Sequence, residues 1–258
     1  MNLPATGSSG PFRFERDMFA SLGELLPEKI TSTPDRLVYL REPTVGNVIP
    51  DLLFGEWTEE LRPLKRNFTF IEARILALPE QRDEMLESEI SEILHLSPPA
   101  AARAFKRIQE SGLVLQTRDA KISLDAGCFT RALFLTAVEL KLRRWREALD
   151  QAANYLKFAD RAYVVLDGDQ IARDEEMIKA FRASRVGLFM LRADGLSEVV
   201  RARGQTCVSP QRVQAVQKIC IRLTESIVAH FLGRPRVAAL ASDARSLRVR
   251  SKLILRRQ

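Results

Sequence analysis

Histidine and cysteine are scarce in this chain of 258 residues, which has two His and three Cys. Cys128, Cys207 and Cys220 are scattered, odd in number and form no CxxC, and His95 and His230 stand far apart. A disulfide framework and a His/Cys zinc pattern are therefore missing, and a reduced, cytoplasmic protein is the expectation. Long apolar runs are missing too. Nothing approaches the roughly 18 residues of a membrane span, so no membrane partner is expected. The opening MNLPATGSSGPF lacks a charged start followed by an apolar core, so no signal peptide is expected. What remains, 46% hydrophobic and 28% charged residues, is ordinary globular composition, enough for one large domain or two small ones.

The net charge of +7 is unevenly placed. From Arg234 onward eight Lys and Arg stand against one acid, Asp243, so the excess sits in the last segment and the rest is collectively neutral. A basic tail is the footprint of a polyanion partner, most often nucleic acid. A solubilising tail fits the same residues.

Residues 1–10 are Gly, Ser, Thr and Pro rich and read as disordered. Phe14, Met18, Leu22, Leu25 and Leu26 recur at helical spacing, which predicts a helix over 12–28. The stretch 36–57, RLVYLREPTVGNVIPDLLFGEW, reads as two strands around a turn near Thr44–Asn47. From about 62 the texture changes to three short helices: FTFIEARILALP, ESEISEILHL (with Ser88 or Glu87 placed to cap it) and, after SPP, AAARAFKRIQESG. A hairpin, LVLQTRDAKISLD, follows at 113–125. After 126, strands and helices alternate: ALFLTAVELKL, then WREALDQAANYLKFA, RAYVVLD, RDEEMIKAFRAS, VGLFMLRADG and LSEVVRARGQ. A long amphipathic helix spans 210–232. Such alternation predicts a mixed or parallel sheet covered on both faces.

Three helices and a β-ribbon within about 65 residues form the winged helix-turn-helix pattern, whose third helix can enter a major groove. The phrase ISEILHLSPPAAARAFKRIQESGLV resembles the MarR-like winged helices, over a quarter of the chain. Arg103, Lys106 and Arg107 on the third helix, with Arg118 and Lys121 on the wing, are the residues expected against DNA phosphates. A solvated face used for protein contacts is the other reading of those charges.

Within TAVELKL, Glu139 and Lys141 lie two apart on a strand and so share a face. Alone, Glu-x-Lys reads as a surface ion pair. Metal-dependent phosphodiester cleavage, however, needs at least two carboxylates for the ion and a group that handles the attacking water. A Lys beside the metal can orient the nucleophile and stabilise developing charge. IPDLLFG supplies a second carboxylate, Asp51, which follows Pro50 inside an apolar strand where a lone charge is costly.

Pro50–Asp51 followed by Glu139–Leu140–Lys141 resembles the PD-(D/E)XK nuclease superfamily, as do the helix ahead of the hairpin and the helix after the Glu-x-Lys strand. The resemblance implies that Asp51 and Glu139 bind Mg²⁺ (or Mn²⁺) and that Lys141 assists the water. It also matches Glu15 to the acid that archaeal Holliday-junction resolvases and their relatives place near the metal, and Gln151 to a Gln that often follows the Glu-x-Lys strand. Glu42 is a weaker rival for an accessory acid. The departure is spacing: Asp51 and Glu139 are 88 positions apart, where the family uses a short connection. The winged-helix segment fills that interval. Trp145 and Tyr155 are expected to be core packing residues. Asp167, Asp169, Asp174, Glu175 and Glu176 are expected to form a solvated loop and helix start, without the spacing of a calcium loop.

The predicted fold is thus α/β, a restriction-endonuclease-like mixed sheet flanked by helices and interrupted by an inserted winged helix-turn-helix. The expected boundaries are 1–10 disordered, 11–61 and 126–233 nuclease-like, 62–125 winged helix, and 234–258 basic tail. The expected function is Mg²⁺-dependent DNA cleavage with no organic cofactor. Its rival is a non-catalytic DNA-binding protein or regulator with a degenerate nuclease-like scaffold. A homodimer through 210–232 is a further expectation.

Overall fold

The computed structural model describes residues 12–58, 61, 68–78, 85–112, 114–116, 121–124, 132–171, 174–205 and 208–231. Residues 1–10, Arg118 and the basic tail of the sequence analysis lie outside them. The fold is mixed α/β, with a six-stranded open sheet and a separate three-stranded sheet. Contacts divide the chain into two units, one of residues 1–34, 41–54 and 135–207, the other of 35–40, 55–134 and 208–258.

In the first unit, α1 (Glu15–Ile30) begins where the Asp17 carboxylate accepts from the Phe14 N–H at 3.0 Å. Met18, Leu22, Leu26 and Ile30 form its buried stripe, the spacing of one helical face. β1 (Leu37–Arg41), which belongs to the second unit except for its last residue, and β2 (Leu52–Trp57), divided between the units after Phe54, flank a turn closed by Val45 and Val48. Asp51 stands one residue ahead of β2, at a bend, and not inside the strand as its apolar neighbours suggest. β6 (Leu133–Lys141), β7 (Arg161–Asp167) and β8 (Gly187–Arg192) run parallel, and β9 (Gly195–Val200) closes the edge antiparallel to β8. The order across the large sheet is β1-β2-β6-β7-β8-β9.

The central strands show why the sequence lacks alternation there. Val138, Leu140, Val164, Val165, Leu166 and Leu188 to Leu191 are all fully buried, as strands covered on both faces must be. Each such side chain contributes roughly 1.5–3 kcal/mol of burial. The covering helices are α5 (Trp145–Tyr155) and α6 (Glu175–Ser184), which follow β6 and β7. Asp174 caps α6, accepting from the Met177 N–H at 2.6 Å, and Arg185 ends it in the left-handed region at φ 68°. Gly187 is obligatory for space, because a Cβ there would fall 2.2 Å from the Tyr163 ring.

Asp169, Asp174, Glu175 and Glu176 are exposed, as expected, and the acidic segment departs from expectation only at Asp167. Asp167 is fully buried, not solvated. Its carboxylate accepts from the N–H groups of Phe12 and Asp169, both at 2.9 Å, and from Gln170 Nε2 at 2.7 Å. Three donors meet the desolvation cost that a lone carboxylate would carry.

The second unit holds α2 (Phe70–Ala77), α3 (Glu87–Ile93) and α4 (Pro98–Glu110), then β4 (Val114–Gln116) and β5 (Lys121–Leu124). A strand that sequence reasoning missed, β3 (Met85–Leu86), pairs antiparallel with β5 and gives the small sheet its order β3-β5-β4. At two residues it is too short to show a period. The α3 cap also differs: Leu86 is the cap residue, and Glu89 reaches back to its N–H at 2.9 Å, in place of Ser88 or Glu87. α7 (Pro210–Phe231) packs along α2. Gly55 permits close approach, since a Cβ would fall 2.5 Å from the Ile219 side chain. Among the described residues no helix is long and apolar enough to cross a membrane.

Candidate functional site

β6 delivers Glu139 and Lys141 to one face, and the bend before β2 delivers Asp51 beside them. The link is direct. The Leu140 N–H donates to Asp51 Oδ2 at 2.7 Å, across 89 positions of sequence. Asp51 thus grips the strand between the acid and the lysine. Lys141 Nζ lies 3.1 Å from Glu139 Oε1 and 3.7 Å from Glu15 Oε2, so the first residue of α1 joins the same cluster. Glu139 is buried and Lys141 half-buried.

A fifth member was read from the sequence as packing only. Tyr155 is buried, yet its hydroxyl donates to Glu139 Oε2 at 2.6 Å and lies 3.3 Å from the Ile49 carbonyl oxygen. The signal was available: Tyr155 is one helical turn beyond Gln151, and residues at i and i+4 share a face. Trp145 meets the packing expectation, with the Phe181 ring 6.3 Å away and the Arg146 guanidinium 4.2 Å over its own ring.

The electrostatics follow from crowding. Burial, then the Glu139 charge, push Asp51 up from 3.8 to about 6, against the opposing Leu140 N–H and Lys141. Glu139 is also raised, mainly by burial, although Tyr155 and Lys141 oppose the shift. Burial pulls Lys141 down, but Glu139, Glu15 and Asp51 outweigh it and hold the ammonium above the ordinary lysine value. Burial and the Glu139 carboxylate raise Tyr155, which keeps its proton and remains a donor. Three acids around one lysine leave negative charge without full compensation.

That is the setting a divalent cation suits. Asp51 and Glu139 offer hard oxygen ligands, and Mg²⁺ is commonly held by one or two carboxylates with water and phosphate completing its shell. Gln151 Oε1, on the helix face of Tyr155, is buried without a hydrogen-bond partner among the described residues. The donor set fits Mg²⁺ or Mn²⁺. It does not fit a cage of protein ligands, since among the described residues no group of three His, Cys, Asp or Glu side chains is placed to hold a metal. Glu42 is exposed and tied to Asp51 by its backbone, its N–H donating to the Asp51 carbonyl at 2.9 Å.

The expected nucleic-acid contacts divide. Ala101, Ala104, Phe105 and Ile108 turn inward on α4, which leaves Arg103, Lys106 and Arg107 exposed on it. Arg107, however, is partly structural: its Nε lies 3.1 Å from Oε1 of the buried Glu72. Glu72 also caps α2, its Oε2 accepting from the Thr69 N–H at 2.6 Å. Arg107→Ala is therefore expected to cost about 1–2 kcal/mol in urea denaturation, less than a fully buried pair because Arg107 is half-exposed. Arg103→Ala and Lys106→Ala should leave stability unchanged and are the cleaner probes of binding. Lys121 opens β5.

No protein-family model matches the chain, and no curated protein matches it. Among solved structures, the chain is similar to a protein of unknown function from Silicibacter pomeroyi, at 12% identity and a TM-score of 0.33, over 79% of this chain and 86% of that one.

Proposed function

We propose that the chain is a Mg²⁺-dependent, DNA-cleaving protein of PD-(D/E)XK type, with Asp51 and Glu139 as metal ligands and Lys141 beside the water. The observation that carries this is the Leu140 N–H bond to Asp51, which joins Pro50–Asp51 to Glu139–Leu140–Lys141 despite their separation in sequence. Bound between the two carboxylates, Mg²⁺ would neutralise phosphoryl oxygens and acidify the attacking water. Tyr155 fixes Glu139 through Oε2. Lys141, kept protonated by its acids, orients the water and stabilises charge developing on the phosphate. Glu15, 3.7 Å from its ammonium, helps to position Lys141, and Gln151 is the further polar group that can face the water.

The helices α2, α3 and α4 with β3, β4 and β5 would form the winged helix that docks the enzyme on duplex DNA. Arg103 and Lys106 are its leading phosphate contacts. The basic tail would add affinity, and duplex binding should weaken steeply with salt.

The rival, a non-catalytic DNA-binding scaffold, is favoured by one feature. Both Glu139 oxygens already have partners, Lys141 on Oε1 and Tyr155 on Oε2, as in a purely structural network. The test is cleavage of linear duplex, circular, junction and single-stranded DNA in Mg²⁺ and in Mn²⁺, with Lys141→Ala beside wild type. Metal-dependent cleavage that Lys141→Ala reduces by about 10²-fold or more, the scale of lost electrostatic stabilisation, supports the enzyme. Salt-sensitive duplex binding without cleavage in either metal supports the scaffold.

A further inference from the structure

A cleft of about 560 Å³ opens beside Lys141 and Glu15, within the range of small-molecule sites, roughly 300–1,000 Å³. Arg13, Arg143 and Arg144 line it with Lys141, and Phe12 and Leu142 add apolar wall. Four cations thus face one acid, Glu15. Nothing in the cleavage chemistry proposed above uses the three arginines.

Arg143, exposed itself, is held by a polar relay that ends on a buried carboxylate. Its Nε donates to Gln170 Oε1. Gln170 Nε2 in turn donates to the Phe12 carbonyl at 2.8 Å and to Asp167 Oδ2 at 2.7 Å. Asp167, fully buried, also accepts from the Phe12 N–H. One buried carboxylate therefore fixes both the segment carrying Arg13 and, through Gln170, the orientation of Arg143. With Nε engaged, the terminal nitrogens of Arg143 make no hydrogen bond or ion pair among the described residues. A guanidinium pre-oriented in this way suits an oxyanion of planar or tetrahedral face, phosphate above all. Arg144 is shared with Glu147, 2.9 Å away, and is the weaker contributor.

We infer that this cleft is a phosphate subsite for the nucleic-acid strand, holding a phosphate other than the one being cut, with Arg143 and Arg13 as contacts and Gln170 as the positioning residue. The inference rests on the nuclease reading for its substrate class. A phosphate there can be the monoester at a strand end or a diester within the strand, and Phe12 offers a face for the adjoining base.

The test uses the full chain and 3′-labelled single-stranded DNA carrying a 5′-phosphate or a 5′-hydroxyl, with binding measured by anisotropy in Ca²⁺. Arg182, exposed on α6, supplies the control cation. Arg143→Ala is expected to weaken binding about tenfold, the scale of one charge-assisted hydrogen-bonding group, with Arg182→Ala close to wild type. Loss confined to the 5′-phosphate assigns a strand end, and equal loss on both assigns an internal phosphate. Where cleavage is measurable, Gln170→Ala should raise KM with kcat unchanged. Equal effects of Arg143→Ala and Arg182→Ala, or no binding by wild type, overturn the subsite. Because binding is read without cleavage, an inactive protein with Arg143-dependent affinity would refute the nuclease and keep the cleft. An active one indifferent to Arg143→Ala would do the reverse.

Discussion

Asp51→Asn should melt at a higher temperature than the wild type in the absence of divalent metal, while losing metal-dependent cleavage. The sign follows from linkage. Asp51 titrates near 6 in the fold against 3.8 for an ordinary aspartate, so the folded state binds this proton more tightly. The ionised form is disfavoured by folding: stability falls as pH rises from about 4 to about 6, and the cost is fully present above 6. Two pKa units correspond to at most about 3 kcal/mol. Asp51 is partly solvated, so about 1–2 kcal/mol, or roughly 2–6 °C, is the expected gain. The asparagine Oδ1 can still accept from the Leu140 N–H, which keeps the strand in place. Saturating Mg²⁺ should reverse the order, since only the wild type gains binding energy. Thermal melts at pH 7.5 with and without Mg²⁺ check this. A variant less stable than wild type without metal would mean that Asp51 serves the fold and not a cation.

Asp167→Ala is expected to show the largest loss of stability, about 2–4 kcal/mol, because three donors lose a buried acceptor together. The chain before α1 loses its anchor at Phe12, and Gln170 loses one of its two fixed acceptors. Asp167→Asn should recover part of the stability, since the amide oxygen can still accept. Equilibrium urea unfolding measures both. A cost within about 0.5 kcal/mol, typical of exposed positions, would show that the three bonds are replaced by water.

Much of the fold was legible because its periodicities are strong. The stripe of Met18, Leu22 and Leu26 marked α1, and the apolar runs of β6, β7 and β8 marked strands buried on both faces. The failures are instructive for the same reason. β3 is two residues long and carries no period. Asp167 looked solvated because it begins a run of acids, yet its burial depends on Phe12, some 155 positions earlier, which no local pattern encodes.

For the candidate site, residue types and spacing suggested Asp51, Glu139 and Lys141, the resemblance to the PD-(D/E)XK nucleases added Glu15, and the chain does bring these four together. Sequence could not reveal that Asp51 acts through the main-chain N–H of Leu140, a contact with no side-chain signature. Nor could it separate Tyr155 as core from Tyr155 as donor, because the ring is buried in either case. Arg107 has a contact that its position in the sequence does not show. On a helical wheel it is a surface cation, and only the fold places the Glu72 carboxylate beside it.

Titration of Mn²⁺ into wild type, Asp51→Asn and Glu139→Gln, at pH 5 and pH 7.5, tests most directly whether the carboxylate pair is a cation site. A carboxylate must lose its proton to coordinate, so saturable binding should be clearly tighter at pH 7.5 than at pH 5, below the value near 6 for Asp51, and should disappear in both variants. Binding that ignores pH and survives both substitutions, or no binding by the wild type, would contradict the site.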